Sequence, residues 1–190
     1  MAASKIMLIR HAEKPATDGS NVGVDEFGQA SARSLSVRGW QRAGALVQFF
    51  MSPSQGPAAG IARPDVIFAA SATDAEDSLR PSQTALPLAR LLGLKLRTDF
   101  RKNQTAALAT ALTTEVDGTA LVSWEHKAMP ALAAALLGRA GISPAVWPDD
   151  RFDVVWVFDR MGNDGYSFSQ VAQMVLGGDM AEPFEKSARP

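Results

Sequence analysis

Short runs of apolar residues that end abruptly in polar side chains recur along the chain. Three of them predict buried strands, at 5–9, 65–70 and 120–124. Arg10 and His11 follow the first run directly, and Glu125 and His126 follow the third. The pattern also predicts a short strand at 94–97 and two final, antiparallel strands at the sheet edge, at 154–158 and 167–175. Two of these strands therefore deliver a histidine at their carboxyl ends.

Apolar residues recur at helical spacing between these runs. Ser36 is suited to cap a helix that extends to about residue 51. Pro81 suits the first turn of a second helix, which ends near Gly93. Two more helices are predicted, one at 103–113 and one that runs from just after Lys127 to about residue 137. The remaining polar stretches are interpreted as a long loop and candidate lid at 15–34 and a linker at 52–60.

The order of these elements predicts the fold class. Strands that alternate with helices favour an α/β domain with a mostly parallel sheet. In such sheets, ligands bind beyond the carboxyl ends of the strands. Because both histidines fall at predicted strand ends, we expect the chemistry of the protein at that edge.

Length and composition are ordinary for a globular domain. The 190 residues are 46% apolar and 21% charged, which fits one domain with a sizeable core. The formal net charge of -1 indicates no basic surface for nucleic acid. The apolar run at 6–9 is too short for a secretory signal, and no stretch has the length of a membrane span. We therefore expect a cytoplasmic protein with neither a nucleic-acid nor a membrane partner.

The counts of cysteine and histidine restrict the chemistry further. The chain has no cysteine, which excludes disulfides, thiolate nucleophiles and cysteine-based zinc sites. It has two histidines, His11 and His126, so a metal site built from several imidazoles is excluded. We expect no metal and no cofactor, and any histidine chemistry must use these two residues.

Four residues can converge at one rim of the sheet: Arg10, His11, Arg80 and His126. Two guanidinium groups match the oxygens of a phosphoryl group. A neutral imidazole is a capable nucleophile toward phosphorus, and a covalent intermediate divides one difficult step into two easier ones. The other imidazole would donate a hydrogen bond to a non-bridging oxygen. The set predicts a metal-independent phosphoryl-transfer site, to which Lys14 and Glu125 are added as candidate substrate-binding residues.

Four segments carry a resemblance to a known family: 8–13 (LIRHAE), 35–43 (LSVRGWQRA), 80–85 (RPSQTA) and 121–126 (LVSWEH). The first resembles the Arg-His-Gly-Glu signature that opens the histidine phosphatase superfamily, also called phosphoglycerate mutase-like. The second and third resemble its Leu-Thr/Ser-x-x-Gly-x-x-Gln/Arg-Ala helix and its Arg-x-x-Gln-Thr-Ala element. The fourth lies where the family places its second histidine. The four segments occur in the family's order and include both histidines of the chain.

The resemblance has definite implications for the fold and the site. It implies that His11 is the nucleophile and that His126 completes the pocket. It implies that Arg10 and Arg80 bind phosphate. The implied fold is a three-layer α/β/α sandwich around a mixed, mostly parallel six-stranded sheet. We expect residues 1–190 to form a single histidine phosphatase-like domain.

The chain departs from the family pattern in two ways. Ala12 replaces the usual glycine of the first signature. Gln104 lies near the place where family members that act on phosphate esters carry a glutamate general acid, and glutamine cannot give a proton to an alkoxide. Either another carboxyl group serves as the acid (Glu125, Asp74 or Glu13), or the substrate has a good leaving group. Phosphohistidine, acyl phosphates and pyrophosphates are such substrates, and they favour a branch that resembles the short protein-phosphohistidine phosphatases.

The sequence therefore predicts a phosphatase that acts on a phosphorylated small molecule or a phosphohistidine protein. One alternative is a mutase, which keeps the same intermediate away from water. The other is a degenerate member that binds phosphorylated ligands without turnover. Specificity is expected from segments 15–34 and 52–60, while the oligomeric state stays open.

Overall fold

The computed structural model describes residues 1–51, 60–75, 77–162 and 165–184. The predicted linker at 52–60 lies outside these ranges apart from Gly60. None of the helices in the described ranges is long and apolar enough to cross a membrane.

Six strands form one mixed sheet. They are β1 (Lys5–Arg10), β2 (Val66–Ala69), β3 (Leu96–Arg97), β4 (Thr119–Trp124), β5 (Val154–Arg160) and β6 (Tyr166–Ala172), in the order β3-β2-β4-β1-β5-β6. The strands β3, β2, β4 and β1 pair in parallel, and β5 pairs antiparallel with both β1 and β6. The predicted mixed, mostly parallel six-stranded sheet is confirmed.

Four helices connect the strands. They are α1 (Val37–Met51), α2 (Arg80–Leu92), α3 (Thr105–Thr114) and α4 (Met129–Leu137), and a short 3-10 helix, His126–Ala128, precedes α4. Ser36 caps α1 as predicted, because its hydroxyl accepts a hydrogen bond from the Gly39 N–H at 3.1 Å. Gly93 ends α2 in the left-handed conformation, with φ of 67°.

The helices cover both faces of the sheet, and the alternation of side chains along β1 shows how. Ile6 and Leu8 pack into a cluster with residues of α3 and α4. Met7 and Ile9 point to the opposite face and pack with residues of α1 and α2. A strand buried on both faces needs an apolar run without polar alternation, which is what residues 6–9 provide. The three-layer α/β/α arrangement is thus confirmed.

The last strand is shorter than the sequence pattern predicts. The prediction extends to residue 175, whereas β6 ends at Ala172. Met174 has a φ of 52°, which lies in the left-handed region and takes the backbone out of the extended conformation. The chain therefore turns away from the sheet two residues after β6.

Helix α1 approaches the segment that follows β1 very closely at Gly39. The backbone N–H of Ser36 donates to the carbonyl oxygen of Glu13 at 2.9 Å, which fixes the start of the helix against that segment. A Cβ atom on Gly39 would overlap the same carbonyl oxygen. Because Glu13 is two residues from His11, this contact also sets the position of the polar end of β1.

Replacing Gly39 with alanine should destabilise the protein. The added methyl group meets backbone rather than a flexible side chain, so we expect Gly39→Ala to lower the free energy of unfolding by about 1–3 kcal/mol. Gly44→Ala is the matched control, because Gly44 lies in the same helix with nothing within 4 Å of an added Cβ. That variant should be more stable than the wild type by about 0.5–1 kcal/mol, the usual gain in a helix interior. Chemical denaturation measures both, and equal effects of the two changes would contradict the close contact.

Candidate active site

The carboxyl ends of β1 and β4 meet at one edge of the sheet because the two strands pair in parallel. Their hydrogen bonding continues past β1, where the His11 N–H donates to the carbonyl oxygen of Trp124 at 3.0 Å. His126 lies just after β4. Both imidazoles line a cavity of about 230 Å³ beyond this edge.

All six residues that the sequence selects as site residues line this cavity: Arg10, His11, Lys14, Arg80, Glu125 and His126. The end of β1 and the segment after it supply the first three. The first turn of α2 supplies the fourth, and the turn after β4 supplies the last two. Residues far apart in the sequence therefore meet around one space that is open to solvent on one side.

The ring of His11 is fixed in one tautomer. Its Nδ1 atom lies 2.8 Å from the carbonyl oxygen of Ala12, and a carbonyl oxygen only accepts, so Nδ1 carries the hydrogen. Nε2 of the neutral ring then keeps its lone pair. Burial lowers the pKa of His11 to about 3, and the nearby charges of Arg10 and Arg80 act in the same direction. The imidazole is therefore neutral at physiological pH, as a nitrogen nucleophile requires.

Arg10 is buried and is held by carbonyl oxygens rather than by a carboxylate. Its Nη1 atom lies 2.9–3.0 Å from the carbonyl oxygens of Pro148, Asp149 and Arg151. Its guanidinium carbon lies 3.8 Å from the ring centroid of Phe152, in a cation–π contact. Burial lowers the pKa of Arg10 to about 10, so the group stays charged at neutral pH.

Two nitrogen atoms of Arg10, Nε and Nη2, are buried and have no hydrogen-bond partner. Leaving a buried charged donor without an acceptor costs more than leaving a neutral one. Since Arg10 lines the cavity, these donors are suited to an anion that enters it.

Arg80 faces the same cavity from the start of α2. Its Nη1 donates to the carbonyl oxygen of Ala32 at 3.0 Å, whereas its Nε is buried without a partner. The Thr84 hydroxyl donates to the carbonyl oxygen of Arg80 and accepts the N–H of Ala12, both at 2.8 Å. This hydroxyl therefore holds the first turn of α2 beside the nucleophile candidate, which explains the threonine in the segment 80–85.

His126 has a different partner from His11. Its Nε2 lies 2.5 Å from Oδ1 of Asp149, and its Nδ1 is buried with no hydrogen bond. Burial, and then the charge of Arg10, lower the pKa of His126, while Asp149 and Glu125 oppose that shift. Glu125 Oε1 is 3.8 Å from Nδ1, which is too far for a hydrogen bond.

The three carboxyl groups that the sequence offers as general acids occupy different places. Glu13 receives Arg42 on both carboxylate oxygens at 3.0 Å and does not line the cavity. Asp74 is exposed and lies 3.4 Å from Arg101, also outside the cavity lining. Glu125 lines the cavity. Of the three candidates, Glu125 is the one that reaches the site.

Gln104, which stands near the usual place of the family's acid, takes no part in the cavity lining. Its side-chain oxygen accepts the N–H of Arg101 at 2.8 Å, just before α3 begins. The candidate lid at 15–34 is likewise absent from the lining. It packs beside the site instead, where Arg33 donates to the carbonyl oxygen of Asp77 at 2.6 Å.

Asp77, Lys102 and Asp149 also line the cavity and were not predicted from the sequence as site residues. Lys102 follows β3, so its position at the carboxyl edge could have been inferred from the topology. Asp149 precedes β5, and an antiparallel strand begins at the edge where its parallel neighbours end. In the described ranges, the ammonium groups of Lys14, Lys102 and Lys127 make no hydrogen bond or ion pair. The lining has five cationic side chains against three carboxylates, so its net formal charge is positive.

Several solved structures with a similar fold are phosphatases. The protein histidine phosphatase SixA in complex with tungstate is 15% identical, with 89% of this chain and 97% of that chain covered and a TM-score of 0.55. The mycobacterial glucosyl-3-phosphoglycerate phosphatase is 14% identical, with 89% and 97% covered and a TM-score of 0.54. A phosphoserine phosphatase variant from Entamoeba histolytica in complex with phosphoserine is 13% identical, with 90% and 98% covered and a TM-score of 0.55.

The comparisons by sequence found no match, whereas the comparison by structure did. No sequence-family model matches the chain, and no curated protein matches it at a significant level. The chain shares its fold with these solved phosphatases, so the resemblance that its four sequence segments carry is confirmed at the level of the fold.

The low pKa of His11 predicts how stability depends on pH. In the unfolded chain this imidazole binds a proton below about pH 6.5, whereas in the folded protein it does so only near pH 3. The unfolded state therefore binds more protons in this interval, and stability falls as the pH falls. Relative to His11→Asn, which cannot titrate there, the wild type should lose about 1.4 kcal/mol of unfolding free energy per pH unit below pH 6.

Denaturation of both proteins between pH 4.5 and pH 8 measures this difference. His126 is present in both, so its contribution cancels. Above pH 7.5 the difference between the two free energies should be constant, which is the internal control. A difference that is independent of pH over the whole range would show that His11 is solvated and titrates normally.

Proposed function

We propose that this protein is a phosphatase that transfers a phosphoryl group to Nε2 of His11 and then to water. The observation that carries the proposal is the combination of a neutral, buried imidazole with unpartnered guanidinium donors around one cavity. Arg10 and Arg80 offer three buried nitrogen atoms that lack acceptors. A tetrahedral oxyanion supplies acceptors of the right charge. The shared fold with solved phosphatases supports the same reaction class.

The proposed reaction proceeds in two displacements. Nε2 of His11 attacks phosphorus, so an N–P bond forms while the bond from phosphorus to the leaving group breaks. The hydrogen on Nδ1 stays bound to the carbonyl oxygen of Ala12, which keeps the lone pair on Nε2. A water molecule then attacks phosphorus, the N–P bond breaks, and orthophosphate leaves with the neutral imidazole restored.

The arginines and His126 stabilise the charge that develops on the non-bridging oxygens. Arg10 is already locked by three carbonyl oxygens, so its free donors need little reorganisation when the phosphoryl group arrives. His126 completes the pocket. The net positive charge of the lining, to which Lys14, Lys102 and Lys127 contribute, attracts an anionic substrate from solution.

The leaving group receives its proton from Glu125 where it needs one. Asp77 and Asp149 also line the cavity, but their carboxylates are engaged by backbone N–H groups and by His126, respectively. The carboxylate of Glu125 makes no hydrogen bond to a described residue. We propose that the preferred substrates have good leaving groups, with phosphohistidine foremost. A single partly exposed carboxyl group is a weak general acid for the protonation of a leaving alkoxide.

Hydrolysis of p-nitrophenyl phosphate in the presence of a chelator tests the proposed activity. We expect turnover by the wild type and a loss of roughly a thousandfold or more in His11→Asn, because the covalent route is removed. Labelling with a ³²P substrate, followed by digestion at alkaline pH, where the N–P bond of phosphohistidine is stable, should locate the phosphoryl group on His11. The folded state of the variant is checked by circular dichroism.

The same experiment separates the alternatives. Near-normal activity of His11→Asn would refute the assignment of the nucleophile. A labelled enzyme that passes its phosphoryl group to an acceptor hydroxyl faster than to water would identify a mutase. Binding of phosphate without any turnover by the wild type would identify a ligand-binding protein.

The role of Glu125 predicts how rate depends on the leaving group. The wild type should hydrolyse phosphohistidine with a higher kcat/KM than a sugar phosphate. Glu125→Gln should lower the rate on the sugar phosphate by about tenfold or more and leave phosphohistidine nearly unaffected, since the phosphohistidine ring takes its proton from solvent before it leaves, whereas the alkoxide of the ester needs a general acid. Asp74→Asn is the matched control, because it removes a carboxylate that lies outside the cavity. A strong preference for the ester would contradict the proposed substrate class.

A further inference from the structure

The contact between His126 and Asp149 distinguishes this histidine from His11. Nε2 of His126 lies 2.5 Å from Oδ1 of Asp149. The low pKa of the Asp149 carboxyl, caused first by its hydrogen bond to His126, keeps it ionised and able only to accept. Nε2 therefore carries a hydrogen. The other ring nitrogen, Nδ1, is buried, lies in a residue that lines the cavity, and has no partner.

We propose that Asp149 is a positioning residue that holds the hydrogen of His126 on Nε2 and so commits Nδ1 to the phosphoryl group of the substrate. When that group is bound, His126 takes up a proton from solvent on Nδ1 and donates a charge-assisted hydrogen bond to a non-bridging oxygen. The proton returns to solvent when orthophosphate leaves. This inference rests on the proposed function, because it assigns the phosphoryl group to the same cavity.

The charges that face His126 explain why protonation follows binding. Arg10 and the neutral ring of His11 face it from the end of β1, and burial together with the charge of Arg10 lowers its pKa in the empty cavity. Asp149 faces it from the segment before β5, and Glu125 precedes it in the chain. A phosphoryl dianion adds two negative charges, which raise the pKa of His126 and so favour its imidazolium form. Of the three lysines that line the cavity, Lys14 and Lys127 lie close enough to lower the pKa of Asp149 itself.

The position of Asp149 is fixed by its own backbone. The carbonyl oxygen of Asp149 accepts a hydrogen bond from Nη1 of Arg10 at 2.9 Å, and its carboxylate accepts one from His126. One residue therefore holds both an arginine and a histidine of the cavity. Glu125 does not take this role in the structure, because the atom pair that brings it near His126 is Oε1 and Nδ1, at 3.8 Å, beyond hydrogen-bond distance.

The variant Asp149→Asn tests the proposal. An asparagine oxygen still accepts from Nε2, so the geometry stays, but the negative charge that favours the imidazolium form is lost. We expect kcat for p-nitrophenyl phosphate to fall on the alkaline side at a pH about one unit lower than in the wild type. Asp149→Glu should restore part of that shift. The matched control is Asp150→Asn, which removes a carboxylate that also acts on Arg10 but lies outside the cavity lining.

A second measurement does not depend on turnover. In His11→Asn the chain contains one imidazole, so ¹⁵N NMR reports the protonation of His126 alone. Inorganic phosphate should raise the pKa of His126 in this protein, and by about one unit less when Asp149→Asn is added. If His11→Asn does not fold, the same titration is made on the wild type, with His126 assigned by its absence from the spectrum of His126→Gln.

The outcomes distinguish the role of Asp149 from the phosphatase activity itself. A phosphate-dependent rise in the pKa of His126 that Asp149→Asn reduces supports the inference even if the protein has no hydrolytic activity. The inference would be overturned if Asp149→Asn, compared with Asp150→Asn, changed neither the pH at which kcat falls on the alkaline side nor the pKa of His126 with phosphate bound. The phosphatase activity would still stand in that case.

Discussion

The parallel pairing of β1 with β4 is the constraint on which the site depends, because it forces two distant histidines to the same edge of the sheet. The register places Arg10 opposite Trp124, so the residues that follow both strands emerge side by side. The antiparallel strand β5 pairs with the other side of β1, and the segment that precedes it arrives at the same edge. Backbone hydrogen bonding thus positions the nucleophile candidate, its neighbour across the cavity and the carbonyl oxygens that hold Arg10 before any side chain contributes.

Two buried arginines of this protein show what distinguishes a binding group from a structural one. Arg42 is buried and donates to Glu13, Asp179 and Gln173, so every nitrogen has an acceptor. That network ties α1 to the segment after β6 and leaves no donor for a ligand. Arg10 is equally buried, yet only Nη1 has acceptors. A buried cation without a counter-anion is costly in the free protein, and the cost is offset when an oxyanion binds. The unpartnered donors of Arg10 therefore support the proposal that this cavity binds an anion.

Sequence patterns predicted the parts of this site that local rules determine. The apolar run before Arg10 and His11 could only be a buried strand, and the polar residues after it had to lie at its end. Ser36, Pro81 and Gly93 mark helix ends by conformational preferences that act within a few residues. Asp149 and Lys102 could not be found in this way, because nothing near them in the chain indicates a site. Their positions follow from strand order and direction, which depend on contacts between distant residues. The early end of β6 has the same origin, since no local signal predicts the positive φ of Met174.

The two histidines share burial and a lowered pKa, and what separates them is the partner of each ring. His11 donates to the carbonyl oxygen of Ala12, a neutral acceptor that fixes the tautomer and adds no negative charge. Its ring stays neutral beside two arginines, which suits attack on phosphorus. His126 faces the carboxylates of Asp149 and Glu125, so the arrival of an anion can bring it into the protonated form. In the proposed reaction, a carbonyl oxygen in one place and a carboxylate in the other would thus be sufficient to suit one imidazole to the role of nucleophile and the other to the role of proton-bearing donor.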